Sequence, residues 1–143
     1  MKELSNFVLA TNQFSKVYQS FISKVAEKHN LTNIEIDVLL FLANNPSFDT
    51  AKDIVNYRHI AKSYVSKAID LLLKKHLLSS YVDENDRRIT HLIINTSASE
   101  IINDGRTAQQ DFINVLHRNI SPEDLNILNS VINQINQNLK NYI

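Results

Sequence analysis

From Leu4 to Val25 apolar residues return every three or four positions: Leu4, Phe7, Val8, Phe14, Tyr18, Phe21, Ile22 and Val25. That spacing gathers them on one face and predicts an amphipathic helix over 4–28. Asn30 breaks the pattern. Thr32-Asn33-Ile34-Glu35 then has the form of a capping box, in which Thr32 and Glu35 each satisfy an amide at the start of a new helix. This second helix, roughly 33–44, carries Ile36, Val38, Leu39, Leu40, Phe41 and Leu42, a run dense enough to require burial on most sides. Asn44-Asn45-Pro46 ends it, because proline restricts the residue before it.

Thr50-Ala51-Lys52-Asp53 can cap a short helix near 51–56, with Asp in place of the longer Glu. A further helix over 62–75 has Val65, Ala68, Ile69, Leu72 and Leu73 on its apolar side. The two are separated by Arg58-His59-Ile60-Ala61, which are the proportions of a helix-turn-helix. The period then changes. Leu78–Val82 reads as one strand and Ile89–Ile94 as another, enriched in β-branched residues, joined by the charged tip Asp83-Glu84-Asn85-Asp86-Arg87-Arg88. A helix-turn-helix followed at once by a charged hairpin is the layout of a winged helix.

Two more helices complete the pattern. Ser97-Ala98-Ser99-Glu100 can cap the first, whose stripe is Ile101, Ala108, Phe112, Val115 and Leu116. Gly105 lies inside it, at about 1 kcal/mol relative to Ala where exposed. The last helix starts with Ser121 as cap, Pro122 at the first helical position, and Glu123 and Asp124 near the positive end of the helix. Its stripe is Leu125, Leu128, Ile132, Ile135, Leu139 and Tyr142. The predicted fold is mainly α with a small antiparallel β-wing. It forms a single domain over 1–143, with a winged helix-turn-helix lobe at 33–96 and helical regions at 1–30 and 97–143.

Composition narrows the function classes. A chain of 143 residues with 43% hydrophobic content, one Gly and two Pro favours long helices around a core over disorder. The absence of cysteine excludes disulfides, thiolate zinc sites and thiol redox switches. No apolar run is long enough to cross a bilayer, and the N-terminus lacks the features of a signal peptide, so a cytoplasmic location is expected. No glycine-rich phosphate loop, serine-nucleophile elbow or His-Glu metal signature suggests an enzyme, and no cofactor is expected. The five histidines, His29, His59, His76, His91 and His117, show no metal-ligand spacing; only residues distant in sequence could assemble a zinc site.

Net charge is zero, yet residues 49–92 carry eight basic and six acidic side chains. For phosphate binding the face they occupy matters more than their sum. Lys62, Ser63, Tyr64, Ser66 and Lys67 fall in the first turns of the helix suited to a major groove. Lys74 and Lys75 lie farther along, in reach of the DNA backbone. Arg87 and Arg88 at the hairpin tip suit a minor groove, whose negative potential attracts guanidinium groups. Three neighbouring acids would oppose this if all pointed outward. Asp86 can instead pair with Arg88, two residues on, and hold its geometry.

The span from Thr50 to Thr96 resembles the winged-helix core of the MarR family of bacterial transcriptional regulators. The likeness rests on Asp53-Ile54-Val55, on Tyr64-Val65-Ser66-Lys67-Ala68-Ile69-Asp70-Leu71-Leu72, and most distinctively on Asp83-Glu84-Asn85-Asp86-Arg87-Arg88. The order of two helices, wing, then two helices extends it over nearly the whole chain. The resemblance implies that Arg88 takes the place of the minor-groove arginine and Asp86 that of its supporting acid. Two departures stand out: His76 where the family often has Gly, and Asn95-Thr96-Ser97-Ala98-Ser99 where it often has Leu-Thr-x-x-Gly.

The terminal stripes exceed what a winged-helix core can cover, so pairing with a twin subunit is expected. The resemblance points the same way, toward a homodimer on palindromic double-stranded DNA. It also implies a small aromatic effector bound between dimer helices and DNA-binding lobe, where Phe14, Tyr18, Phe41, Tyr57 and His59 could line a cleft; plain core packing is the competing role for Phe14 and Phe41. The function expected is therefore a sequence-specific regulator of transcription, a repressor responsive to a small molecule. The alternative is a winged-helix module that binds protein and has little affinity for DNA.

Overall fold

The structure is a computed structural model that describes residues 1–143. Its elements are α1 (Lys2–His29), α2 (Asn33–Asn44), α3 (Ala51–Arg58), α4 (Lys62–Lys74), β1 (Leu78–Val82), β2 (Thr90–Ile94), α5 (Ser99–Leu116) and α6 (Pro122–Leu139). Short 3₁₀ turns occur at Thr96–Ala98 and Lys140–Tyr142. The chain forms two compact units, Met1–Gln110 and Asp111–Ile143.

In the first unit α2 is the central helix, with every residue from Glu35 to Leu42 buried. Ile22, Val25 and Ala26 of α1 join its core, as do Ile54 of α3, Val65, Ala68, Ile69 and Leu72 of α4, and Ile101 and Ile102 of α5. Both predicted capping boxes form. Thr32 accepts from the Glu35 amide at 3.2 Å while Glu35 accepts from the Thr32 amide at 2.8 Å. The shorter Asp53 achieves the same with Thr50, at 3.2 and 3.0 Å. Asn30 ends α1 in the left-handed conformation (φ 54°), leaving its own amide and that of Leu31 to close on α1 carbonyls.

The wing is a two-stranded antiparallel hairpin in which Leu78 faces Ile94 and Tyr81 faces His91. Ile89, predicted as the start of the second strand, lies in the turn instead, with its amide bonded to the Asp86 carbonyl at 3.0 Å. The hairpin is anchored to the preceding lobe by the Leu92 amide, which donates to the Asp49 carbonyl at 2.8 Å.

The two departures from the family pattern meet in space. His76 sits at φ 57°, the left-handed region that favours glycine. Its carbonyl accepts from Asn95 Nδ2 at 2.9 Å and from Ser97 Oγ at 2.7 Å. Ser97 was expected to cap α5; it lies in a 3₁₀ turn, its hydroxyl spent on His76, and α5 begins at Ser99.

Gly105 is buried, and a Cβ there would lie 2.8 Å from Leu40 Cδ2. The close passage of α5 over α2 means that a Cβ here would press on the Leu40 side chain, which a reading from helix propensity alone does not foresee. In the second unit Ser121 caps α6 by accepting from the Asp124 amide at 3.1 Å, with Pro122 in the first turn. No residue of α6 is buried within the single chain.

Candidate nucleic-acid interface

The side chains expected to read DNA fall into two groups. On α4, Val65, Ala68, Ile69 and Leu72 face the core, which leaves Lys62, Ser63, Tyr64, Ser66, Lys67 and Lys74 exposed. Lys75 has a different task. Its ammonium lies 2.7 Å from Oε1 of Glu35, a carboxylate only 1% exposed. Burial pushes the Glu35 carboxyl upward, but bonds from Lys75 and Thr32 more than offset this and leave it below the usual range.

On the wing, Arg87 and Arg88 are both exposed. Arg88 Nε donates to Asp86 Oδ1 at 3.0 Å and Nη2 to Oδ2 at 2.9 Å. The same carboxylate accepts the Arg88 amide at 3.0 Å. The Arg88 side chain holds the Asp86 carboxyl below its ordinary value, with help from this amide. The acids that threatened the basic surface are thus largely engaged. Asp83 accepts the amides of Asn85 and Asp86 at 2.8 and 2.9 Å, and its other oxygen lies 2.9 Å from His91 Nε2. Glu84 is exposed.

A cavity of about 270 Å³ opens among α1, α2, α3 and α5 within the first unit. Three of the expected residues line it, Tyr18, Phe41 and Tyr57. Two do not. Phe14 lies one turn earlier on α1, in a stretch where no side chain is buried, and is 48% exposed. Neither a core role nor the cleft suits it in the single chain. His59 caps α3 at φ 50° and is exposed.

Sequence reading missed the polar half of the cavity. Asp37, 5% exposed, has Oδ1 at 3.3 Å from Arg58 Nη2, and Oδ2 accepts from Gln19 at 3.4 Å. Burial pushes its carboxyl up, tempered chiefly by the Arg58 charge. Gln109 donates to the Tyr18 hydroxyl at 3.0 Å, and burial raises the pKa of that phenol. Asp37 stands within a run of hydrophobic residues, where a carboxylate was itself the available signal.

His29, Glu100 and Asp104 come together although 75 positions separate His29 from Asp104, and their ligand atoms lie within 4.8 Å of one another. A cation already serves them: Lys28 Nζ is 2.7 Å from Asp104 and 3.6 Å from Glu100. The cluster acts as an ion-pair network joining the end of α1 to α5. No helix is long and apolar enough to cross a membrane.

Comparisons with known proteins agree on the fold. A MarR_2 sequence profile, described as MarR family, matches residues 29–89. No curated protein matches the chain by sequence. Among solved structures, a MarR family regulator from Listeria monocytogenes complexed with 26mer DNA shares 14% identity over 92% of this chain and 87% of its own, with a TM-score of 0.82. A MepR–DNA complex from S. aureus shares 19% identity over 98% and 100%, with a TM-score of 0.77. A MarR protein from Peptoclostridium difficile shares 18% identity over 96% and 89%, with a TM-score of 0.82. The profile match falls on the helix-turn-helix and most of the wing, so residues 29–89 are similar to the MarR family, and the winged helix-turn-helix fold of these solved structures runs through almost the whole chain.

Proposed function

We propose that the protein is a sequence-specific double-stranded DNA-binding regulator of transcription that acts as a homodimer on palindromic sites. The observation that carries this reading is the outward display of two basic elements: the Lys62–Lys67 face of α4, and a wing arginine pre-oriented by its own carboxylate. A helix presented this way suits the major groove and an extended guanidinium suits the minor groove. Two structural relatives are described in complex with DNA, which supports the same reading.

Pairing is supported by unburied apolar surface. In the first unit Leu4, Phe7, Val8 and Phe14 of α1 are each 48–59% exposed. In the second unit Leu128, Ile132 and Leu139 of α6 are 43–53% exposed. Apolar surface of this extent calls for a partner, and a second copy supplies one with matching stripes. The DNA-reading part is then the lobe 33–96, and the helical regions 1–30 and 97–143 dimerise.

The regulator is a repressor released by a small aromatic effector in the cavity of Tyr18, Phe41 and Tyr57. Such a ligand must bind one arrangement of the dimer more tightly to change its DNA affinity. Fluorescence-anisotropy titration of a palindromic duplex from the gene's own upstream region tests the DNA reading. Binding that weakens steeply with salt is expected from phosphate neutralisation. Salt-insensitive binding to a protein, with no duplex affinity, would establish the alternative of a protein-binding module.

A further inference from the structure

The imidazole of His91 bridges two segments that are far apart in sequence. Nδ1 lies 2.8 Å from Asp49 Oδ1, in the loop before α3, and Nε2 lies 2.9 Å from Asp83 Oδ2, at the root of the wing turn. A neutral imidazole has one N–H, so it can donate to only one of these carboxylates and must turn a lone pair toward the other. Only the imidazolium satisfies both. The ring is partly shielded, with 20% of its side chain exposed, and Tyr81 stacks on it at 4.9 Å.

Both anchors are themselves held. Asp49 precedes Thr50, the cap of α3, and its carbonyl accepts the Leu92 amide at 2.8 Å. Asp83 uses its second oxygen to accept the amides of Asn85 and Asp86, and Asp86 in turn grips Arg88. An unbroken series of contacts therefore runs from the start of α3 through His91 to the wing arginine.

We propose that His91, doubly protonated between Asp49 and Asp83, is the positioning residue that clasps the wing tip to the helix-turn-helix lobe and loosens it on deprotonation. The ionisable groups facing His91 are Asp49 from the loop, Asp83 from the turn and Tyr81 from β1; Asp53 nearby on α3 is committed to Thr50. The bonds from Asp49 and Asp83 raise the pKa of His91 above that of a free histidine, which moves its titration toward physiological pH. The effect on DNA rests on the DNA-binding reading above, whereas the effect on the wing does not.

The test separates them. Protection factors of the Asn85 and Asp86 amides are measured by NMR hydrogen exchange without DNA, for the full chain and for His91→Gln, at pH 6 and pH 8. The wild type is expected to lose protection as His91 titrates, and His91→Gln to be weakly protected and flat with pH, with an unchanged circular dichroism spectrum. DNA affinity of the wild type should fall about tenfold over the same interval, and that of His91→Gln should lose the pH dependence. If neither protein binds duplex, the DNA reading falls and the exchange data alone decide the clasp. Protection factors that are identical in the two proteins at both pH values would overturn it. So would a His91→Gln variant that keeps the full pH response in exchange.

Discussion

Arg88 and Asp86 form a two-bond pair across the wing turn, Nε to Oδ1 at 3.0 Å and Nη2 to Oδ2 at 2.9 Å, while the arginine side chain stays 89% exposed. At that exposure the pair adds little to stability. What it supplies is direction, because a planar guanidinium gripped on one edge has few orientations left. Replacing Arg88 by Ala is expected to weaken binding to the proposed duplex site by about 1–3 kcal/mol, with the circular dichroism spectrum and the mass in solution unchanged. Asp86→Ala should cost less, about 1 kcal/mol, since the charge persists but must be ordered on binding. Anisotropy titrations of both variants check this, and an unaltered Arg88→Ala affinity would remove the wing from the interface.

Lys74 and Lys75 are neighbours with opposite expected consequences. Lys74 is free to meet a phosphate, so Lys74→Met should reduce the salt dependence of DNA binding and leave the melting temperature alone. Lys75→Met strands the Glu35 carboxylate, which is 1% exposed. A loss of about 2–3 kcal/mol is expected, below that of a fully buried pair because the lysine reaches solvent. The pH dependence has a defined sign. Glu35 titrates lower in the folded chain than its ordinary value of 4.5, so its contribution is present above that value and disappears as pH falls through the folded pKa. Denaturant melts of wild type and Lys75→Met should therefore differ at pH 7 and converge near the acid limit.

Arg58 is the counter-charge of Asp37 in the cavity. Asp37 has the reverse sign to Glu35: its folded pKa is raised by burial, so the folded state is favoured below the ordinary carboxylate range and loses stability as pH rises through the raised value. Removing Arg58 enlarges that loss. Arg58→Ala is expected to cost about 3 kcal/mol at neutral pH and distinctly less in acid, as read from chemical denaturation. An equal cost at both ends would mean that the pair contributes through packing and not through charge.

Gly105→Ala sets helix propensity against packing. Alanine favours the helix by about 1 kcal/mol, while overpacking a buried contact costs about 1–3 kcal/mol. With the new Cβ only 2.8 Å from Leu40 Cδ2, packing wins, and a net destabilisation of about 1 kcal/mol is expected. Leu40 also lines the cavity, so displacing it should alter the binding of any small aromatic compound there. A stabilised variant would show that Leu40 moves aside without cost.

The elements were legible in the chain because their causes are local. Periodicity placed α1, α2, α4 and α6; Thr32, Thr50 and Ser121 marked helix starts through bonds spanning three residues. The charged tip between two strand-like runs announced the wing, and Asp86 lies only two residues from the arginine it holds. Relationships across long stretches of sequence were not legible. The His76 carbonyl meets Ser97 across 21 positions, His91 meets Asp49 across 42, and Lys75 meets Glu35 across 40. Nothing in residue type or spacing distinguishes Lys75 from Lys74, or His91 from the other histidines, until the chain is folded.

By itself, then, the order of residues determined which segments become helix or strand and which basic side chains α4 and the wing carry, since capping and amphipathicity act within a few residues. Tertiary packing alone decided that Lys75 serves a buried glutamate, that a Cβ at 105 would press on Leu40, that Asp37 faces a cavity, and that a histidine bridges the wing turn to the loop before α3. Those outcomes depend on which distant groups share a small volume after water has been excluded, and in that setting a charge or a Cβ that would be indifferent on the surface becomes decisive.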